Sequence, residues 1–182
     1  MSIGVEACTL CSVLPCLVER TGNHVMYQAH HSLECPNRED HVTWVDVDRP
    51  DWDEIFMVFA RSLARRSTCR RLAVGCVVVS EDNTRILAMG YNGNYPGGPN
   101  DCESDEPGKC GCFHSEMSAL IKLGRADMSR KVMYVTHSPC KTCAKAILLA
   151  GIDEVVYGLD YRSADGTDLL RSRGIPVRRF VG

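Results

Sequence analysis

The sequence predicts a three-layer α/β/α sandwich, a mixed five-stranded sheet between helices, preceded by a small zinc-ribbon-like element. Two observations carry this. From residue 52 onward, segments with helical spacing of apolar residues alternate with short runs rich in Val, Ile and Tyr. Before that point the chain is rich in Cys and His and has little periodicity. The change falls near "DVDRPDW" (46–52), so residues 1–48 are expected to form the head and 49–182 the α/β domain. Alternation of this kind implies a sheet covered on both faces.

Each element has its own signal. "DWDEIFMVFARSLARR" places Trp52, Ile55, Phe56, Phe59 and Leu63 on one helical face. Two strand-like runs, "LAVGCVVVS" and "TRILAMGYN", follow across the turn-like "EDN". After a glycine-rich loop, "GNYPGGPNDCESDEPGKCGC", a helix begins near His114. The strand "KVMYVTH" leads to a helix over 140–150, in which Pro139 suits the first turn and Gly151 the stop. The strand "DEVVYGL", a helix near 165–173 and a last strand "IPVRRF" complete the order α-β-β-α-β-α-β-α-β.

Composition narrows the function classes. The chain has 182 residues, 45% of them apolar and 24% charged, which suits one ordinary domain with an appendage. A net charge of −2 gives no sign of a strongly electrostatic nucleic-acid binder. The first fifty residues carry more acids than their three arginines (Arg20, Arg38, Arg49). No apolar run approaches a membrane span. The opening residues lack a basic start and carry Glu6 early, so a cytoplasmic chain is expected, and its eleven cysteines point to metal rather than disulfides.

The chemistry begins at "SPCKTC". Cys140 and Cys143 lie on the same side of a helix N-terminal turn, where the helix dipole favours thiolates. Two adjacent thiolates repel unless a cation sits between them. "CGCFHSEMSAL" (110–120) supplies a third ligand, His114, at the preceding helix start. Two successive strand–helix junctions bring the three to one end of the sheet, where open sheets bind ligands. One imidazole and two thiolates suit zinc and leave the fourth tetrahedral position for water, whose pKa zinc would lower toward about 7. Glu116 could take that water's proton. Alone, an H-x-E or a C-x-x-C is common by chance. Together, one strand apart and each at a helix start, they form the signature of zinc deaminases.

"HSE" with "SPCKTCAKAILLAGIDEVVYG", preceded by "STCRRLAVGCVVV" and "GYNGNYPGG", resembles the deoxycytidylate (dCMP) deaminases of the cytidine deaminase-like superfamily. The resemblance covers about residues 52–180. It implies that His114, Cys140 and Cys143 hold zinc, that Glu116 shuttles the proton, and that Asn92 contacts the sugar hydroxyl. A plain Asn-Gly turn is the bland alternative for Asn92. Ser115 stands where the family usually has alanine; it is small and keeps the backbone N–H toward substrate, so activity should survive. The implied reaction converts dCMP to dUMP and ammonia. Effectors such as dCTP or dTTP, bound with Mg2+, and a homo-oligomer, a hexamer in many members, belong to the same expectation.

The remaining cysteines fall into two groups. Cys69, Cys102, Cys110 and Cys112 resemble the structural zinc site of some phage and bacterial dCMP deaminases; free buried thiols are the alternative, and Cys76 is expected to be one. In the head, Cys8, Cys11, His30 or His31, and Cys35 have the spacing of a zinc ribbon, with Cys16 and His24 in reserve. An extension with incidental cysteines is the alternative there.

Two further function classes compete with the mononucleotide enzyme. A polynucleotide cytidine deaminase would use the head to hold single-stranded DNA or RNA. A zinc-stabilised binding protein would have lost catalysis, which an intact Glu116 argues against. "ARRSTCRR" offers Arg65, Arg66, Arg70 and Arg71, of which Arg70 and Arg71 are the candidates for holding a 5′-phosphate and Arg65 and Arg66 end a helix. The acidic head and the lack of interleaved aromatics favour the mononucleotide and make nucleic acid an unexpected partner.

Overall fold

The computed structural model describes residues 50–106, 109–124 and 129–182, together with the backbone of 16–21 and 24–28. The chain divides into two compact units, residues 1–50 and 51–182.

In the first unit, β1 (Cys16–Thr21) and β2 (His24–Gln28) pair antiparallel, with Cys16 opposite Gln28 and Thr21 opposite His24. The sequence reading placed no strands here. Cys8, Cys11, His30, His31 and Cys35 lie outside the described residues.

The second unit opens with α1 (Trp52–Ala64), capped by Asp51, whose side chain accepts from the Glu54 amide at 2.7 Å. Then come β3 (Gly75–Ser80), β4 (Ile86–Tyr91), α2 (Ser115–Lys122), β5 (Lys131–His137), α3 (Lys141–Ala150), β6 (Glu154–Leu159), α4 (Asp165–Ser172) and β7 (Val177–Arg179). This is the expected order. The sheet runs β4-β3-β5-β6-β7; β3 is antiparallel to both neighbours, and β5-β6-β7 are parallel.

Side chains of β3 alternate between two cores. Cys76 and Val78 pack with Ala119, Ala144, Ile147 and Leu170, on the face covered by α2, α3 and α4. Val77 and Val79 pack with Phe56, Met57 and Ala60 beneath α1. Both faces are thus buried, which is why this strand reads as a continuous apolar run. Cys76 is a free, fully buried thiol, as expected.

The face of α1 differs from the expected one. Its buried residues are Phe56, Met57, Ala60 and Ala64, whereas Trp52 and Ile55 remain 46% and 39% exposed. The cause is close approach. A Cβ on Gly75 would lie 2.0 Å from the Ala60 carbonyl oxygen and 2.6 Å from the Ala64 nitrogen. The helix meets the sheet along its small residues, and Phe59 and Leu63 flank the contact half-buried.

Candidate metal centre and nucleotide pocket

α2 and α3 start side by side, at the end of the sheet where β5 finishes. Their N-caps are His114 and Cys140, and neither side chain makes a capping hydrogen bond. Capping normally favours Ser, Thr, Asp or Asn, whose oxygens satisfy the first amides. These two side chains turn to one another instead. Nδ1 of His114 lies 3.5 Å from Sγ of Cys140 and 3.3 Å from Sγ of Cys143. Zinc bonds of ordinary length in a tetrahedron place N and S about 3.6 Å apart, so the three can hold one ion. Pro139 sits just before the Cys140 cap rather than inside the helix, and Gly151 closes α3 with φ 66° as expected. The shift puts Cys143 in the first turn, where the dipole acts.

The three side chains perturb one another's ionisation. A hydrogen bond from Cys143 and then His114 pulls the Cys140 thiol down to about 3. The same hydrogen bond with Cys140, together with burial, pushes Cys143 up. The bond to Cys140 also raises His114. Metal binding would displace the protons that Cys143 and His114 otherwise favour. Beside them Glu116 is 4% exposed, and burial raises its pKa. Its Oε2 accepts from the Ser115 hydroxyl at 3.0 Å.

A second group gathers three sulfurs from three loop positions. Cys102 Sγ lies 3.6 Å from Cys69 Sγ and 3.7 Å from Cys112 Sγ, against about 3.8 Å for two thiolates on one tetrahedral ion. Burial opposes ionisation of Cys69, but the amides of Leu72 and Arg71 outweigh it and lower its thiol; burial raises Cys112. Cys110 is not among the sulfurs that come together. Gly111, with φ 72°, turns the chain between Cys110 and Cys112.

Both groups border one cavity of about 340 Å³, which His114, Ser115, Glu116 and Cys140 line with Cys69, Cys110 and Cys112. Asn92 lines it too, and its side chain is buried: Nδ2 donates to the Leu72 carbonyl at 2.6 Å, and Oδ1 accepts from the Val74 amide at 2.8 Å. That leaves one N–H and one lone pair for a ligand.

The arginines divide. Arg71 lines the cavity and donates to the Glu106 carbonyl at 3.2 Å. Arg70 does not; it pairs with Asp101 at 3.0 Å and Asp105 at 3.1 Å. Arg65 caps the C-terminus of α1.

Sequence reasoning missed the third strand–helix junction. Asp160, Tyr161 and Arg162 follow β6 and line the cavity, as do His137 and Ser138. Ser138 anchors this loop: its Oγ accepts from the Tyr161 amide at 2.7 Å, and its own amide donates to the Leu159 carbonyl at 2.8 Å. The Arg162 guanidinium lies 4.9 Å over the Tyr161 ring. The strand-end rule that located His114 and Cys140 applies equally after β6, and following it one junction further would have found Arg162.

Fold, ligand spacing and cavity together define a class, and residues 50–159 match the family described as the cytidine and deoxycytidylate deaminase zinc-binding region. The chain belongs to that family. It is similar to the deoxycytidylate deaminase of Saccharomyces cerevisiae (39% identical, covering 72% of this chain and 46% of the relative). It is also similar to that of Mycobacterium phage D29 (37% identical, covering 61% of this chain and 97% of the relative). The chain spans about half the length of the two yeast relatives it matches. Among solved structures, dCMP deaminase from cyanophage S-TIM5 in complex with dCMP and dUMP superposes with a TM-score of 0.65 at 34% identity, covering 72% of this chain and 98% of that one. Among the described residues no helix is long and apolar enough to cross a membrane.

Proposed function

We propose that the chain is a zinc-dependent deaminase that converts dCMP and water to dUMP and ammonia. The observation that carries the reading is a buried carboxylate, Glu116, beside a His-Cys-Cys set at the end of a nucleotide-sized cavity. His114, Cys140 and Cys143 would hold the zinc, which when bound supplies Lewis-acid activation of water. Glu116 takes one proton from the attacking water and gives it to ring N3. Once the oxygen is bonded to C4, Glu116 takes its second proton and passes it to the amino group, which leaves as ammonia as the C4–N bond breaks. One carboxyl group serves as base and then acid, so its raised pKa suits it to both.

Arg71 and Arg162 both line the cavity and would hold the 5′-phosphate. Asn92 meets the sugar hydroxyl with its remaining N–H or lone pair. A second zinc, bound by Cys69, Cys102 and Cys112, braces the loop between β4 and α2. Residues 1–48 form a separate element, in which Cys8, Cys11, His31 and Cys35 would bind a further zinc. The relatives named as deoxycytidylate deaminases, and the structural neighbour that holds dCMP and dUMP, support this substrate.

An ammonia-release panel over dCMP, CMP, deoxycytidine and single-stranded DNA tests the reading. Efficiency highest on dCMP supports it. Equal efficiency on deoxycytidine removes the phosphate from the account, and preference for single-stranded DNA replaces the substrate class.

A further inference from the structure

Ser115 is the first residue of α2 and has no exposed surface. Its hydroxyl donates to Oε2 of Glu116 at 3.0 Å, and Glu116 is itself 4% exposed. Adjacent residues on a helix do not ordinarily face each other, so the bond is not a by-product of helical spacing. The N-cap of α2 is His114, so the Ser115 hydroxyl is not the capping group. Here it is turned onto the carboxylate. Cys143 also contacts Glu116, and it would lose its thiol proton on binding a metal. The Ser115 hydroxyl is a neutral donor to the carboxylate whether or not that thiol is ionised, alongside the Glu116 backbone amide.

We propose that Ser115 is a positioning residue: its hydroxyl pins Oε2 of Glu116, so that Oε1 is the oxygen that exchanges protons with water and substrate. The proposal rests on the deaminase reading above. A carboxylate with both oxygens free would have to be ordered at each turnover, and a group already held in place avoids that cost. Because the hydroxyl is spent on the carboxylate, its loss should act on turnover and not on binding.

The test is Ser115→Ala, which removes one atom and introduces no bulk into the buried site. Wild type and Glu116→Gln are run beside it at equal zinc content. The expected result is a fall in kcat on dCMP of about tenfold with KM within twofold of wild type. A second readout needs no turnover: the infrared carboxylate band of Glu116, isolated as wild type minus Glu116→Gln, should shift in the Ser115→Ala background. An unmoved band, a kcat within twofold of wild type, or a fall in kcat matched by a rise in KM overturns the proposal. Failure of the deaminase reading is recognised separately, as a wild type that releases no ammonia from dCMP; the infrared band then still decides whether Ser115 holds Glu116.

Discussion

The two sulfur clusters border the same cavity, use similar ligand atoms, and are built in opposite ways. His114, Cys140 and Cys143 stand on two helix starts, held by hydrogen-bonded turns and by the core beneath α2 and α3. Cys69, Cys102 and Cys112 stand on loops, among surface ion pairs such as Arg70 with Asp101 and Asp105. The first cluster mixes nitrogen with sulfur and has a buried carboxylate beside it; the second is all sulfur in the described residues. Rigid elements hold reacting groups to fractions of an ångström, whereas loops with little apolar content are themselves in need of a brace. The difference teaches that cysteine content alone does not mark a reactive centre. On the proposed reading, the helix-borne cluster reacts and the loop-borne cluster supports.

Variants in three groups would break or sharpen this contrast. The largest expected effect is that of Cys143→Ser, which should lose one zinc and at least about a thousandfold in kcat, with the remaining metal still bound. Metal analysis beside ammonia release checks it. Cys102→Ser should also lose one zinc but retain most of kcat, while Tm falls by roughly 5–10 °C and the loop before α2 is cleaved faster by protease. If the two variants lose activity equally, the division of labour is wrong. The smallest effect concerns the phosphate. Arg162→Ala or Arg71→Ala should lower kcat/KM on dCMP by about tenfold and leave deoxycytidine nearly unchanged, whereas Arg70→Ala changes little. A large loss from Arg70→Ala on dCMP alone would restore to Arg70 the phosphate role that the sequence offered it alongside Arg71.

The element order and the meeting of His114, Cys140 and Cys143 were legible in the sequence because both depend on local spacing. A ligand at a helix start and a pair three residues apart meet whenever consecutive strand–helix units lie side by side. What depends on distant partners was not legible. Arg70 and Arg71 look alike in "ARRSTCRR", and acids more than thirty residues away, Asp101 and Asp105, occupy one of them. Cys110 and Cys112 look like a pair, yet only Cys112 joins the sulfur group. The buried face of α1 was misread because large residues mark amphipathicity, while its closest contact is set by Ala60 and Ala64 against Gly75. Asn92, expected to reach the sugar, already spends two of its four bonds on the backbone of Leu72 and Val74, a role that a lone "GYNG" does not disclose.

The most direct test of the central claim is ammonia release from dCMP by Glu116→Gln against wild type, each at measured zinc content. The amide has nearly the size of the carboxylate and can bind, but it cannot carry a proton. The account predicts unchanged zinc, a KM or dUMP affinity close to wild type, and turnover lower by about a thousandfold or more. Turnover within about tenfold of wild type at equal zinc would contradict it.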